Sequence, residues 1–177
     1  RVDVNVPKEG KPGIVALPDA NPDPDRHFLT HSVTPLAGRG AFRAEIARAL
    51  ASGKIRGNEV VVTIHGFNNT MGEGVFRTAK MIRDFDIEAL TLHYAWPSRG
   101  APLGYAADRD AALIARDGLE QMLQDIRLAG ARKIVLVAHS MGAQLTMEVL
   151  RQMVLREDLA TFSRISAVVL LSPDISP

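Results

Sequence analysis

Three short runs of aliphatic, largely β-branched residues constrain the fold of this chain more than any other feature. They cover residues 60–64, 134–138 and 167–171, and each is apolar at nearly every consecutive position. Such a run is typical of a strand that is covered on both faces. Between them, apolar residues at helical spacing predict one long helix over residues 105–128 and another over 142–156. Strands that alternate with helices favour a parallel sheet, so the sequence predicts an α/β fold, a three-layer sandwich with a mainly parallel central sheet.

The composition limits the classes of protein to which the chain can belong. Its 177 residues fit a single domain, and 46% hydrophobic residues suffice for a buried core. Lys plus Arg number 21 and Asp plus Glu number 20, which argues against a nucleic-acid partner. The absence of cysteine excludes disulfides, thiol catalysis and cysteine-ligated metals. No apolar run is long enough to cross a bilayer. We therefore expect one soluble domain over residues 1–177, without a transmembrane segment, in either the cytoplasm or the periplasm.

Four residues with chemically useful side chains lie just after predicted strands: His65, Trp96, Ser140 and Asp174. The carboxyl ends of parallel strands meet at one edge of a sheet, and the functional groups of open α/β sheets gather there. We therefore expect these four side chains to share one edge of the sheet, which makes that edge the candidate functional site.

The segment Ala138-His-Ser-Met-Gly142 lies between a predicted strand and a predicted helix. This is the context of a nucleophile elbow, a sharp turn that raises a serine above the sheet. The turn needs small residues two positions before and after the serine, because larger side chains would collide with the neighbouring backbone. Ala138 and Gly142 meet that requirement. A serine that only caps the helix is the simpler alternative, but the flanks and the context together favour Ser140 as a nucleophile.

A serine that attacks an acyl group also needs two N–H donors for the oxyanion. The backbone N–H of Met141, directly after the serine, is one candidate. The other is the N–H of Phe67, in the loop His65-Gly-Phe-Asn-Asn69 that follows a predicted strand. We expect His65 to support this loop on the substrate side of the sheet. A plain turn with a structural histidine is the alternative for the loop taken alone.

Several segments of the chain together resemble one known family. They are VVVTIHGFNNT, LHYAWPSRG with YAADRDAA, KIVLVAHSMG and AVVLLSPDIS. In sequence and order they are similar to a bacterial family of α/β-hydrolases of unknown function, DUF900, from about Val2 to Ile175. The resemblance implies an α/β-hydrolase fold and a serine-esterase or lipase-like site for a small-molecule or lipid ester. It also implies Ser140 as the nucleophile, with Phe67 and Met141 as the oxyanion donors.

An activated serine needs a histidine base and an acid that orients the base. In this fold both follow the serine in the chain. Asp174 follows the strand after the elbow and is the candidate acid. All five histidines precede Ser140, however, and His65, His93 and His139 are weak alternatives as the base. We therefore expect the catalytic histidine and the C-terminal strands of the domain to lie outside this chain. Without those strands the sheet would expose an edge with which a second copy could pair.

The segment Trp96-Pro-Ser-Arg-Gly100 is expected on the substrate side of the sheet. There Trp96 could wall an acyl pocket, and Arg99 could bind a substrate carboxylate. The usual burial of these residue types favours the alternative, in which Trp96 packs in the core and Arg99 pairs with Asp108 or Asp110.

Three functions are compatible with these features, and the leading one is a cofactor-free serine hydrolase of carboxylic esters. The second is a non-catalytic binding or scaffolding module with a hydrolase fold, supported by the missing histidine. The third is a metal-dependent hydrolase that uses residue types suited to zinc, namely His65, His93, His139 and Asp174. Their spacing matches no metal-binding motif, so we give the third hypothesis little weight.

Overall fold

The computed structural model describes residues 1–8, 10–98 and 104–175. Within these residues there are six strands: β1 (Val2–Asn5), β2 (Leu29–Val33), β3 (Glu59–Ile64), β4 (Leu90–Tyr94), β5 (Lys133–His139) and β6 (Ile165–Leu171). The same residues form six α-helices: α1 (Gly38–Ala51), α2 (Met71–Asp84), α3 (Tyr105–Ile114), α4 (Arg116–Leu128), α5 (Met141–Leu155) and α6 (Leu159–Phe162). None of the described helices is long and apolar enough to cross a membrane.

The central sheet has the strand order β4-β3-β5-β6, and every neighbouring pair is parallel. Helix α2 connects β3 to β4, helices α3 and α4 connect β4 to β5, and helices α5 and α6 connect β5 to β6. β1 and β2 form a separate antiparallel pair. The predicted α/β fold with a mainly parallel sheet is confirmed.

The core lies between the central strands and the long helices. Residues 60–64 of β3 are all buried, as expected for a strand covered on both faces. Each fully buried aliphatic side chain stabilises the fold by about 1.5–3 kcal/mol. Helices α4 and α5 contribute six such side chains at helical spacing: Leu119, Leu123, Ile126, Leu145, Val149 and Met153.

The single helix predicted over residues 105–128 is wrong, because the structure has two helices that meet at Ala115. The carbonyl oxygen of Ala115 accepts a hydrogen bond of 2.7 Å from the Tyr94 hydroxyl. The same carbonyl oxygen also accepts the helical hydrogen bond from the Leu119 N–H (3.1 Å), so the Tyr94 hydroxyl is an additional donor at the junction of the two helices. Gly118 leaves room for it, since a Cβ atom there would lie 2.6 Å from the same hydroxyl.

β6 differs from the central strands because it lies at the edge of the described sheet. Val169 and Leu171 are 42% and 46% exposed, although the sequence of β6 is as apolar as that of β3. The strand therefore presents an apolar surface next to the residues that follow it, including Asp174.

Candidate active site

β5 passes into α5 through a sharp turn at Ser140. This serine has φ 52° and ψ −124°, and a non-glycine residue held at such positive φ costs about 1–3 kcal/mol. Its N–H donates to the carbonyl oxygen of Leu171 (3.0 Å), and its carbonyl oxygen accepts from the N–H groups of Ala143 (2.9 Å) and Asp174 (3.2 Å). The surrounding backbone therefore imposes the strained turn, which has the geometry of a nucleophile elbow.

Two glycines allow the loop after β3 to press against this turn. A Cβ atom on Gly142 would lie 2.4 Å from the carbonyl oxygen of His65, which is a steric clash with backbone. A Cβ atom on Gly66 would lie 2.8 Å from both the Cβ atom of Ser140 and Nδ1 of His139. The loop and the turn are thus in direct contact only because both positions lack a side chain.

Among the residues that the structure describes, two backbone N–H groups near the Ser140 turn have no acceptor. They belong to Met141, the first residue of α5, and to Phe67, in the loop after β3; neither donates a hydrogen bond to any residue that the structure describes. Backbone N–H groups without a protein partner are uncommon away from water. At the N-terminus of α5 the helix dipole adds positive potential. These are the donor types that stabilise an oxyanion in acyl transfer.

His65 and Trp96 lie behind the loop and hold it in place. The backbone N–H of Trp96 donates to Nε2 of His65 (3.1 Å), so the proton lies on Nδ1, which donates to the carbonyl oxygen of Gly66 (2.9 Å). The Trp96 indole N–H donates to the carbonyl oxygen of His65 (2.7 Å), and the two rings stack at 4.9 Å. Burial lowers the pKa of His65 and keeps it neutral. Trp96 is only 2% exposed, so its side chain packs in the core rather than lining a substrate pocket.

Asp174 lies beside the turn and is connected to the loop after β3 through Tyr105. Its N–H donates to the carbonyl oxygen of Ser140, and its Oδ2 accepts a hydrogen bond of 2.6 Å from the Tyr105 hydroxyl. The ring of Tyr105 meets the ring of Phe67 edge-on, with centroids 5.4 Å apart. Tyr105 was not predicted at this site from the sequence. Its position, at the start of a helix that follows the carboxyl end of a strand, was the available signal.

No histidine of the described chain contacts the Ser140 hydroxyl. Both ring nitrogens of His65 are already engaged, Nδ1 with the carbonyl oxygen of Gly66 and Nε2 with the backbone N–H of Trp96. His139 is exposed, and its ring lies against Gly66; partial burial, followed by the charge of Arg77, lowers its pKa. These two histidines therefore do not hold the position of a base in this arrangement.

His93 is also directed away from Ser140. Its Nδ1 lies 2.8 Å from the Thr63 hydroxyl and 3.2 Å from the Thr78 hydroxyl. Its Nε2 is buried against Gly74, where a Cβ atom would lie only 2.1 Å away, and has no partner among the described residues. Burial, and then the nearby His65, lower the pKa of His93 to about 4, so it is neutral at physiological pH.

The predicted contact of Arg99 cannot be followed, because Arg99 lies outside the described residues. Of its two predicted partners, Asp108 is buried and accepts a hydrogen bond of 2.6 Å from the Ser98 hydroxyl. Asp110 is exposed on α3.

The residues considered as metal ligands do not form a ligand set. The rings of His65 and His93 are 5.5 Å apart, but no group of three acidic or histidine side chains able to hold a metal ion occurs in the described ranges. Asp174 is instead hydrogen bonded to Tyr105.

A cavity of about 520 Å³ lies elsewhere in the molecule, between β1, α1, α2 and β4. Its walls are mostly apolar and include Val4, Ile46, Ile82 and Leu92. Ser140 and Asp174 do not line it, so the candidate nucleophile is not at the bottom of this cavity.

A parallel sheet flanked by helices, in which a strand turns sharply into a helix at a strained serine, is the arrangement of the α/β-hydrolase class of folds. A family model described as "Alpha/beta hydrolase of unknown function (DUF900)" matches residues 39–177, and the chain belongs to that family. The match begins at residue 39, whereas the resemblance was expected to begin at about Val2. The searches of curated proteins and of solved structures found no match.

Proposed function

We propose that this protein is a serine hydrolase of carboxylic esters, with Ser140 as the nucleophile. The observation that carries the proposal is the strained turn at Ser140, flanked by the free N–H groups of Met141 and Phe67. Backbone strain persists only where the surrounding structure enforces it, and such strain is concentrated at functional sites. A serine that merely capped α5 would accept a hydrogen bond through its side chain, which Ser140 does not do.

In the proposed reaction the Ser140 hydroxyl attacks the acyl carbon of the ester while a base removes its proton. The negative charge that develops on the carbonyl oxygen is held by the N–H groups of Met141 and Phe67. The base then returns its proton to the leaving alcohol, and water cleaves the acyl-enzyme by the same route. Asp174 is the proposed acid that orients the base. The substrate is a small-molecule or lipid ester, and no cofactor takes part.

The base is proposed to be a histidine outside residues 1–177, because none of the five histidines in the sequence is hydrogen bonded to the Ser140 hydroxyl among the described residues. The exposed edge of β6 supports this part of the proposal. A further strand that paired with β6 would end near Asp174, where a histidine could reach its carboxylate. If no further strand covers β6, a second copy of the chain could pair with the same edge.

A fluorophosphonate serine probe, read by intact mass and peptide mapping, tests the proposal on the protein as its gene encodes it. We expect a single adduct on Ser140 that is lost in Ser140→Ala. Ser163→Ala is the matched control, since this exposed serine at the end of α6 is far from the turn along the chain. It should keep the adduct. If the protein takes up no probe under conditions in which it is folded, the hydrolase proposal is refuted.

A non-catalytic binding module is the second candidate, and the observation in its favour is the lack of a histidine at Ser140 within the described residues. Labelling also distinguishes the two, because a module without a base would leave Ser140 unreactive. Unlabelled protein that nevertheless binds an ester, measured by calorimetry, would establish the binding module.

A further inference from the structure

We propose that Tyr105 is a positioning residue of the candidate active site, which holds the Asp174 carboxylate with its hydroxyl and the Phe67 loop with its ring. This inference rests on the proposed function and adds to it a residue that connects the acid to the oxyanion donor. Tyr105 lies at the first position of α3 and is 44% exposed.

The Asp174 carboxylate, the proposed acid, is held by Tyr105. The Tyr105 hydroxyl is the one side-chain partner of the Asp174 carboxylate in the described chain, and no cation lies within ion-pair distance of that carboxylate. Because the hydroxyl occupies Oδ2, the other carboxylate oxygen, Oδ1, stays available for a base. The N–H of Asp174 is fixed at Ser140, so the hydroxyl of Tyr105 completes the orientation of the acid.

Tyr105 also contacts the loop after β3. The edge of the Tyr105 ring packs on Phe67, and this type of aromatic contact contributes beyond simple burial. The peptide that carries the Phe67 N–H is restrained at the carbonyl oxygen of Gly66, which accepts from Nδ1 of His65 and Nδ2 of Asn69, and the Tyr105 ring adds a contact to the Phe67 side chain. One residue thus contacts both the proposed acid and the residue that carries a proposed oxyanion donor.

The hydrogen bond between Tyr105 and Asp174 can be tested without measuring any reaction. The chain has only two tyrosines, so removing the hydroxyl of Tyr94 leaves one phenol to titrate. In a Tyr94→Phe protein, Tyr105 alone titrates in the ultraviolet. The hydrogen bond to Asp174 raises the pKa of Tyr105, which the charge of Arg109 partly opposes. Asp174→Asn in this background should therefore lower the titration midpoint of Tyr105.

Asp110→Asn is the matched control, since it removes the same charge from an exposed position on α3. It should leave the midpoint unchanged, and circular dichroism should show that each variant is folded at the pH of measurement. If Asp174→Asn moves the midpoint no more than Asp110→Asn does, the contact does not exist in solution and the inference is overturned. In protein that retains Tyr94, both tyrosines titrate, and Asp174→Asn should lower the midpoint of only one of the two titrations.

The positioning role is tested by ester hydrolysis with p-nitrophenyl acetate as the probe. Tyr105→Phe keeps the ring and loses the hydroxyl, so kcat should fall about three- to tenfold with little change in KM. Asp174 without its donor attracts a proton on the base more strongly, so the acid limb of the pH profile should move to higher pH. Tyr94→Phe, which loses a hydroxyl bonded to Ala115 instead, should lower thermal stability without moving that limb.

The two proposals fail in different ways. If the wild type hydrolyses the ester and Tyr105→Phe has the same kcat and pH profile, Tyr105 is only a packing residue, while the proposed function stands. If the wild type neither hydrolyses the ester nor takes up the fluorophosphonate, the proposed function is refuted, and the positioning role is refuted with it.

Discussion

The central strands and the edge strand β6 lead into two different halves of the candidate site. β5 ends at Ser140 and β3 ends at the Phe67 loop, and both strands are paired on both sides. β6 ends near Asp174, is paired on one side among the described strands, and has Val169 and Leu171 nearly half exposed. The half that contains Ser140 and Phe67, called the nucleophile half after the proposed role of Ser140, is therefore shaped by backbone contacts within a buried core. The half that contains Asp174, called the acid half after its proposed role, is held at the surface by the hydroxyl of Tyr105.

Because of this difference, the Ser140 turn is more rigid than the Asp174 carboxylate within the described residues. A turn enforced by several backbone hydrogen bonds and two close glycine contacts has few alternative conformations. A carboxylate held by one hydrogen bond at a surface loses that restraint for a net cost of only about 0.5–1.5 kcal/mol. The acid half therefore has both the freedom and the exposed strand edge that a further segment of protein would need.

The largest effect is expected for Gly142→Ala in the nucleophile half. Its Cβ atom would meet the backbone oxygen of His65 at 2.4 Å, and neither the strand end nor the helix can move without separating the turn from the loop. We expect a loss of about 3 kcal/mol or more in the free energy of unfolding, measured by urea denaturation. Labelling of Ser140 by the fluorophosphonate probe should be lost as well.

Gly72→Ala on α2 is the control for that substitution, because a Cβ atom there meets nothing within 4 Å. It should stabilise the protein by about 0.5–1 kcal/mol, as alanine does in a helix. If Gly142→Ala is as well tolerated as Gly72→Ala, the close contact between turn and loop is absent in solution.

The nucleophile half is also the part that could be predicted from the sequence. A consecutive β-branched run, a small residue, a serine and a glycine at fixed spacing prescribe a strand, a turn and a helix through local sterics alone. The structure places Ser140 and Met141 at that turn and brings Phe67 to the adjacent loop. Whether these residues act as predicted is for the labelling experiment to decide.

The acid half is formed by contacts between residues that are far apart in the chain, and the spacing of residues in the sequence does not predict such contacts. Tyr105 and Asp174 are 69 positions apart, and only the tertiary fold, in which α3 packs against α5, brings them together. The junction of α3 and α4 at Ala115 also carries a contact of this kind, since its carbonyl oxygen accepts from the Tyr94 hydroxyl of another element. The sequence left two roles open for Trp96, and its stacking on His65 favours packing.

Acid should destabilise the folded protein, because His65 and His93 are buried in it as neutral side chains. The pKa of His93 is lowered to about 4 and that of His65 is lowered in the same direction, both chiefly by burial. The unfolded chain binds protons on these residues near pH 6.5, whereas the folded chain does not, so stability falls as the pH drops from about 6.5 towards 4. His93 alone should account for up to about 3 kcal/mol of this loss.

Urea denaturation across that pH range in His93→Asn measures the contribution of this histidine. Asparagine keeps a polar group near Thr63 and Thr78 but does not titrate, so the slope of stability against pH should become shallower, with the part due to His65 remaining. An unchanged slope in His93→Asn would show that folding does not lower the pKa of His93, and hence that this side chain is solvated in the folded protein.

The smallest effect should come from β6, and a matched pair of valines measures it. Val62→Ala in β3 creates a cavity at a side chain with no exposed area and should cost about 2 kcal/mol. Val169→Ala in β6 should cost less than about 1 kcal/mol in a chain of residues 1–177, because that side chain is 42% exposed. If a further strand covers β6 in the protein as its gene encodes it, the cost of Val169→Ala should rise there towards that of Val62→Ala. A cost that rises with the concentration of the 177-residue chain would show instead that two copies pair at this edge.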